Sequence, residues 1–519
     1  MTFLPPLSDL SLRSQVAQMV VVRASGYLYD RQIQYPAWEP PQNTLKHWIK
    51  DWGVGGVILL GGSAVEVAER CQQLQSWATI PLLLAADIEE GVGQRFSGAT
   101  QFPPPAALGA IAKKNPQRAV ELARAMGAHT AAEALAIGLN WVLAPVVDVN
   151  NNPANPVINV RAFGEEPDIV SALATAFIQG ARTHPVLTTA KHFPGHGDTA
   201  TDSHLELPVM PHDRDRLQAI EWPPFIAAIA AGVDAVMSAH VHLPALDAER
   251  PATLSPPILT GILRQQMGFR GLIVTDALVM GAIANAYGTA EAAVKAVEAG
   301  ADILLMPSDP PAAIEAVVAA VESGRIPSER IQAAVARLQA AKDRLQPLAL
   351  QLDYFQTTPA VEVATTIAQE SLERAGPPLP AVTSGVNCLI VDDALQASFL
   401  SRTSPALTLP PTWGFSQRLV VDQQTPLTMI EALPKAPTLV QVFSRGNPFR
   451  GKAGLSAPAI ATLEQLQTQN QLAGLVVYGS PYAYQEITQR LHPKVPRVFS
   501  YGHYSIAQGL ALAYLLKVS

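Results

Sequence analysis

The sequence predicts an α/β protein: a (β/α)8 TIM-like barrel followed by a smaller α/β three-layer sandwich domain. Three observations predict it. Eight short apolar runs recur between residues 18 and 307, separated by loops and alanine-rich helical stretches. The runs lack period-2 alternation, as expected of strands buried on both faces of a parallel sheet. After a proline-rich break the strand and helix patterns restart on a smaller scale. A doubly wound open sheet is the competing arrangement for the first part.

The eight runs, in order, are Gln18–Val22, Gly55–Leu60, Pro81–Ala86, Asn140–Pro145, Val186–Lys191, Val233–Ala239, Gly271–Asp276 and Ala301–Pro307. Helical stretches between them include Gln117–Ile137, Asp168–Thr183, Trp222–Ala231 and Thr289–Ala299. Their alanine content favours helix. A longer helix is expected at Glu329–Leu345 and another at Val361–Ala375. The stretch Gly376-Pro377-Pro378-Leu379-Pro380 reads as a linker. Beyond it, strands are expected at Cys388–Asp392, Leu439–Ser444, Leu472–Gly479 and Arg497–Tyr501. Helices follow at Ala457–Thr468, Tyr482–Leu491 and Ile506–Leu516. The expected domains are a barrel over 1–350, a helix and Pro-rich linker over 351–380, and a sandwich over 381–519.

Composition narrows the function. The 519 residues carry 36 Lys+Arg against 43 Asp+Glu, a formal charge of −7. With 48% hydrophobic and 15% charged residues, the chain is not of the disordered type. The acidic balance argues against a nucleic-acid binder that works by bulk charge. No uninterrupted apolar run reaches the ~18 residues of a membrane-spanning helix. The start, MTFLPPLSDLSLR, lacks the basic and apolar regions of a secretory signal, so a cytoplasmic location is expected. Two distant cysteines, Cys71 and Cys388, offer neither a disulfide framework nor a Cys-rich metal site.

In a barrel the chemistry gathers where strands end. Asp87 and Arg95 follow the third run, and Asp148 and Arg161 the fourth. His240 and His242 follow the sixth, and the seventh ends on Asp276. The densest group follows the fifth run: Lys191 to His204 holds three histidines, two aspartates and one lysine in 14 residues. A metal site is one reading of it, because His and Asp are common ligands. Pro194 and Gly195 break the helix that would put His192 and His196 on one face. A solvated loop with incidental histidines is the bland reading. Acid–base chemistry is the third. Asp202 and His204 lie two apart, so their side chains can project together. A carboxylate beside an imidazole favours the protonated ring, which can donate a proton and later take one back. Asp276 can be a nucleophile, a metal ligand, a substrate clamp or simply a helix N-cap.

The stretch Lys191-His192-Phe193-Pro194-Gly195-His196-Gly197-Asp198, with Asp202-Ser203-His204, resembles the signature loop of the β-N-acetylglucosaminidase branch of glycoside hydrolase family 3. Asp87–Arg95, Asn159–Gly164 and Val274-Thr275-Asp276 agree with it, in order, from about residue 10 to 345. Ala368–Ser371 and Gly479-Ser480-Pro481-Tyr482 echo two-domain members. The resemblance implies a barrel and a retaining exo-hydrolase of terminal β-linked N-acetylglucosamine. It implies Asp276 as nucleophile, His204 as acid/base and Asp202 as its partner. Asp87, Arg95, Arg161, Lys191 and His192 would hold the sugar. No cofactor and no metal are implied. The sequence departs from the pattern at Ile88-Glu89-Glu90-Gly91, where many relatives have a Gly-rich turn, and Glu90 brings bulk and charge near the expected sugar site. The second domain is expected to be non-catalytic, an interface or part of the cleft wall.

Other functions stay open at this point. A β-N-acetylglucosaminide phosphorylase or a β-glucosidase would use the same residues. A histidine acid/base repels incoming phosphate less than a carboxylate does. A metal-dependent hydrolase and a non-catalytic sugar-binding or scaffold protein are the readings from other classes. The resemblance, with a cytoplasmic location, implies a muropeptide fragment from cell-wall recycling as substrate. No nucleic-acid or membrane partner is expected.

Overall fold

The computed structural model describes residues 6–345, 351–380, 382–432, 434–445 and 453–516. The barrel strands are β1 (Val20–Ser25), β2 (Gly56–Leu60), β3 (Leu83–Ala86), β4 (Trp141–Val142), β5 (Leu187–Phe193), β6 (Ala235–Ser238), β7 (Leu272–Val274) and β8 (Leu304–Leu305). Each overlaps one of the eight apolar runs. All are parallel, in the order β7-β6-β5-β4-β3-β2-β1-β8. The seam between β7 and β8 is closed by Thr275 N–H donating to Ile303 O (3.0 Å) and Ile303 N–H to Ile273 O (3.1 Å). Closure removes the open sheet as an alternative.

β4 is shorter than its run because Pro145 has no N–H to give to a ladder. Beyond it the chain keeps beside β5 through single bonds, Thr189 N–H to Ala144 O (2.9 Å) and Val147 N–H to Lys191 O (2.8 Å). The strand bodies are apolar and fully buried, for example Val21, Leu83, Leu84, Leu187 and Ile273. Burial on both faces explains the missing alternation.

The helix expected at Val361–Ala375 ends at Glu370. Its last residues belong to a strand, β9 (Glu373–Ala375), which pairs antiparallel with β14 (Arg497–Ser500). The other strands of the second sheet are β10 (Val386–Ile390), β11 (Gln417–Val421), β12 (Thr438–Ser444) and β13 (Leu472–Gly479). The sheet order is β11-β10-β12-β13-β14-β9. β9 and β11 were not among the expected strands. Along β13, Leu475 and Val477 pack with Leu463 and Ile487, while Val476 and Tyr478 pack with Leu512 and Leu515 on the other face. Apolar side chains thus leave both faces of the sheet toward helices, giving three layers. Helices Ala457–Thr468, Pro481–Arg490 and Ser505–Leu516 lie within a residue of their expected limits.

Candidate active site

The loop after β3 carries Asp87 and Glu89, and β5 carries Lys191. Lys191 Nζ donates to Asp87 Oδ1 (2.7 Å) and lies 2.7 Å from Glu89 Oε1. Arg161 closes the group with a forked pair to Glu89, Nε to Oε2 (2.9 Å) and Nη2 to Oε1 (2.8 Å). Arg95 Nε donates to the Asp87 carbonyl (3.0 Å). Lys191 and Glu89 are buried, whereas the Asp87 side chain is 34% exposed and opens outward. Burial alone would raise both carboxyl pKa values. Lys191 and Arg95 hold Asp87 below the carboxylate range, and Arg161 with Lys191 holds Glu89 well below it. The result is a floor of fixed charges on the strand-end face.

The next stretch is folded by its own polar side chains. Buried Asp148 takes His192 Nδ1 (2.8 Å) on one oxygen and the His196 N–H (2.8 Å) on the other. His196 bridges the loop, Nδ1 to Thr199 Oγ1 (2.9 Å) and Nε2 to Ser203 Oγ (2.9 Å). Burial lowers its pKa to about 4, outweighing the Asp148 charge, so the ring is neutral. Asn155 Nδ2 ties the same turn through the carbonyls of His196 (2.8 Å) and Gly197 (3.0 Å). The loop therefore presents Asp202 and His204 as a pair. Asp202 Oδ1 accepts from the His204 N–H (2.9 Å) and sits 2.9 Å from His204 Nδ1. The two side chains do project together.

Asp276 follows β7. Its Oδ1 accepts from Ala277 N–H (2.7 Å), and the next helix, Gly281–Ala299, has Met280 at its N-cap. The N-cap reading of Asp276 is thus removed. Burial favours the neutral acid, but the imidazoles of His240, His192 and His204 lower the pKa to about 2. The carboxylate is ionised and partly open to solvent. The Gly281 N–H reaches the His204 carbonyl (3.3 Å), which joins the segment after Asp276 to the histidine loop.

All eight predicted site residues lie on the strand-end face. Asp87, Lys191 and Arg161 meet through Glu89; Asp202 meets His204; His192 and His204 face Asp276 electrostatically. Glu89, part of the departure at Ile88-Glu89-Glu90-Gly91 and outside the predicted set, joins the floor. Its signal was the missing counter-charge, since Arg161 and Lys191 need more anion than Asp87 supplies. Asp148 and His240, strand-end residues outside the predicted set, support the site. His240 Nε2–H donates to Ala277 O (3.0 Å), against the Asp276 turn. Glu90 differs from expectation: its carboxylate turns to Arg445 of the second domain, so its charge is matched there. Among the described residues, no group of three His, Cys, Asp or Glu side chains is arranged to hold a metal ion.

Residues 11–341 match the model of the Glycosyl hydrolase family 3 N terminal domain, and residues 379–517 that of the Bacterial Glycosyl hydrolase family 3 C-terminal domain. A Beta-hexosaminidase A of Pseudoalteromonas piscicida is 38% identical over 291 residues, 52% of this chain and 48% of that one. A Beta-hexosaminidase of Xylella fastidiosa (strain M23) is 38% identical over 263 residues, 50% of this chain and 78% of that one. The match thus spans about half the length of the first relative. A solved glycoside hydrolase family 3 beta-N-acetylglucosaminidase from Paenibacillus sp. str. FPU-7 is similar throughout, with a TM-score of 0.82 and 31% identity over 98% of this chain and 97% of that one. In sequence and in shape, both halves of the chain fall within one family: it belongs to glycosyl hydrolase family 3.

Proposed function

We propose that the chain is a retaining exo-β-N-acetylglucosaminidase. The observation that carries this reading is the placing of Asp276 after β7, among His192, His204 and His240, with His204 held by Asp202. Asp276 attacks the anomeric carbon. The bond to the leaving oxygen breaks as His204 gives that oxygen a proton. Asp202 engages Nδ1, so the exchanged proton belongs to Nε2. A glycosyl ester of Asp276 results. Water then attacks the same carbon, gives its proton to His204, and frees the carboxylate. The configuration is retained after two inversions. Asp202 keeps one tautomer and stabilises the charged ring.

An imidazolium beside a carboxylate nucleophile gains from opposite charge, where two carboxylates would repel. Asp87, Arg95, Arg161, Lys191 and His192 hold the sugar. The names of the relatives support N-acetylglucosamine as the sugar. We extend the reading to muropeptide fragments, on the family resemblance. The second domain supplies no catalytic group, because Asp202 and His204 both lie in the barrel.

The test is p-nitrophenol release from the N-acetyl-β-glucosaminide and the β-glucoside, with wild type and Asp276→Asn, each with and without phosphate. Turnover of the N-acetyl substrate alone, lost in the variant and independent of phosphate, is expected. A faster glucoside overturns the specificity. A phosphorylated sugar product makes the enzyme a phosphorylase.

A further inference from the structure

Two side chains of the second domain reach the two loops that hold the Glu89–Arg161 pair. Arg445 follows β12, and its guanidinium takes the Glu90 carboxylate through Nη1 (3.2 Å) and Nη2. Glu90 is buried and adjoins Glu89. The Glu90 backbone is pinned as well, its N–H donating to Gln94 Oε1 (3.0 Å) and its carbonyl accepting from Phe102 N–H (2.8 Å). Tyr482 opens the helix after β13. Its hydroxyl accepts from Asn150 Nδ2 (2.9 Å) and donates to the Glu165 carboxylate (2.7 Å). Asn150 Oδ1 in turn accepts from the N–H of Asn159 (2.8 Å), two residues before Arg161. Each half of the pair therefore has its own strut, and the two struts start from the ends of neighbouring strands.

Loops are the parts of a barrel most free to shift. A binding group is useful only when its supports hold it within a fraction of an ångström. We propose that the second domain is a clamp for the sugar-binding floor, with Arg445 and Tyr482 as positioning residues for Glu89 and Arg161. This rests on the proposed role of that floor. It also gives Glu90 a purpose: the bulk at this turn is the hook that the second domain holds. Losing either strut loosens substrate binding more than it slows bond cleavage, because Asp276, His204 and Asp202 are held by other contacts.

The experiment measures KM, kcat and melting temperature of the full chain with p-nitrophenyl N-acetyl-β-glucosaminide. Arg445→Met raises KM about tenfold, within the hundredfold that a 1 Å misplacement can cost. Tyr482→Phe deletes the hydroxyl and with it the bonds to Asn150 and Glu165; it raises KM by about threefold, less than Arg445→Met, because no charge is left unpaired and Asn150 still holds the Asn159 N–H. In both, kcat moves less than KM. Arg445→Lys keeps the charge and brings KM back toward wild type. If Arg445→Met fails to fold, Arg445→Lys and Tyr482→Phe carry the comparison. A lowered melting temperature with unchanged KM in both single variants overturns the proposal and leaves a contact that only docks the domains. A loss in kcat with KM unchanged overturns it too. If wild type prefers the glucoside, the specificity reading fails; the same variants are then compared on the glucoside, so the two failures stay separate.

Discussion

Burial would raise the pKa of Asp276, but His240, His192, His204 and the Ala277 N–H lower it to about 2. If Asp276 is the nucleophile, as proposed, the acid limb of kcat/KM belongs to another group, because this carboxylate stays charged down to about that value. A pH profile of kcat/KM with an acid limb that follows Asp276, tracked by its carboxyl signal, would contradict this. His196 acts at one remove. Its neutral ring holds Thr199 and Ser203 together, and so sets the loop that presents Asp202 and His204. His196→Ala is expected to lower kcat/KM on the order of tenfold for a poor leaving group, a part of the 10²–10⁴ due to general acid catalysis. For a dinitrophenyl leaving group, which needs no proton, the loss should nearly vanish. Equal losses on both substrates would make His196 a purely structural residue. Lys191 is a different case, buried against two carboxylates. Lys191→Met leaves Glu89 with Arg161 alone and the partly exposed Asp87 with Arg95 alone, and should cost on the order of 3 kcal/mol of stability, the low end for breaking a buried pair, read by urea unfolding.

The loop from Phe193 to His204 depends on two glycines. Gly195 has φ near +127°, and a Cβ there would lie 2.8 Å from Glu221 Cβ. A Cβ on Gly197 would lie 1.8 Å from Val149 O, against backbone that cannot yield. Gly197→Ala should therefore disorder the turn and lose most activity even where the barrel stays folded, which circular dichroism beside the assay would show. Unchanged activity would mean that the turn moves freely. Much of this element scale was legible beforehand, for physical reasons. A buried parallel strand needs a continuous apolar run, so β1 to β8 stood out. β9 and β11 did not, because they lie at sheet edges with much of their surface exposed and carry Glu373, Gln417 and Arg418. The sequence extends the helix before β9 for the same reason: edge strands need little apolar character, and Leu372-Glu373-Arg374-Ala375 fits a helix equally well by propensity. In the site, residues within one motif were legible as a group. The pairing of Glu89 with Arg161 was not, since 72 positions separate them and only the closed barrel brings them together.

At the scale of the whole molecule, the barrel has a working end and a structural end. Lys342 sits at the structural end, where Nζ donates to Gln18 Oε1 (2.7 Å), Gly55 O (3.1 Å) and Pro81 O (2.8 Å) beside the starts of β1, β2 and β3. Burial lowers its pKa from 10.5 to about 7. Between these values the unfolded chain binds the proton and the folded chain releases it, so this lysine makes stability rise with pH across that window. The unfolding free energy of wild type minus that of Lys342→Met should rise from pH 7 to pH 10; a constant value would contradict it. At the working end, the second domain meets the barrel through Arg445 and Tyr482, beside the loops proposed to bind the sugar. The fold and the site thus converge on one chemical claim, a covalent glycosyl ester on Asp276. The most direct measurement is mass analysis of peptides after trapping with a 5-fluoro N-acetylglucosaminyl fluoride. One N-acetylhexosaminyl adduct, on the peptide that contains Asp276 and absent in Asp276→Asn, is the predicted result. An adduct on another residue, or turnover with inverted product and no adduct, would contradict the account.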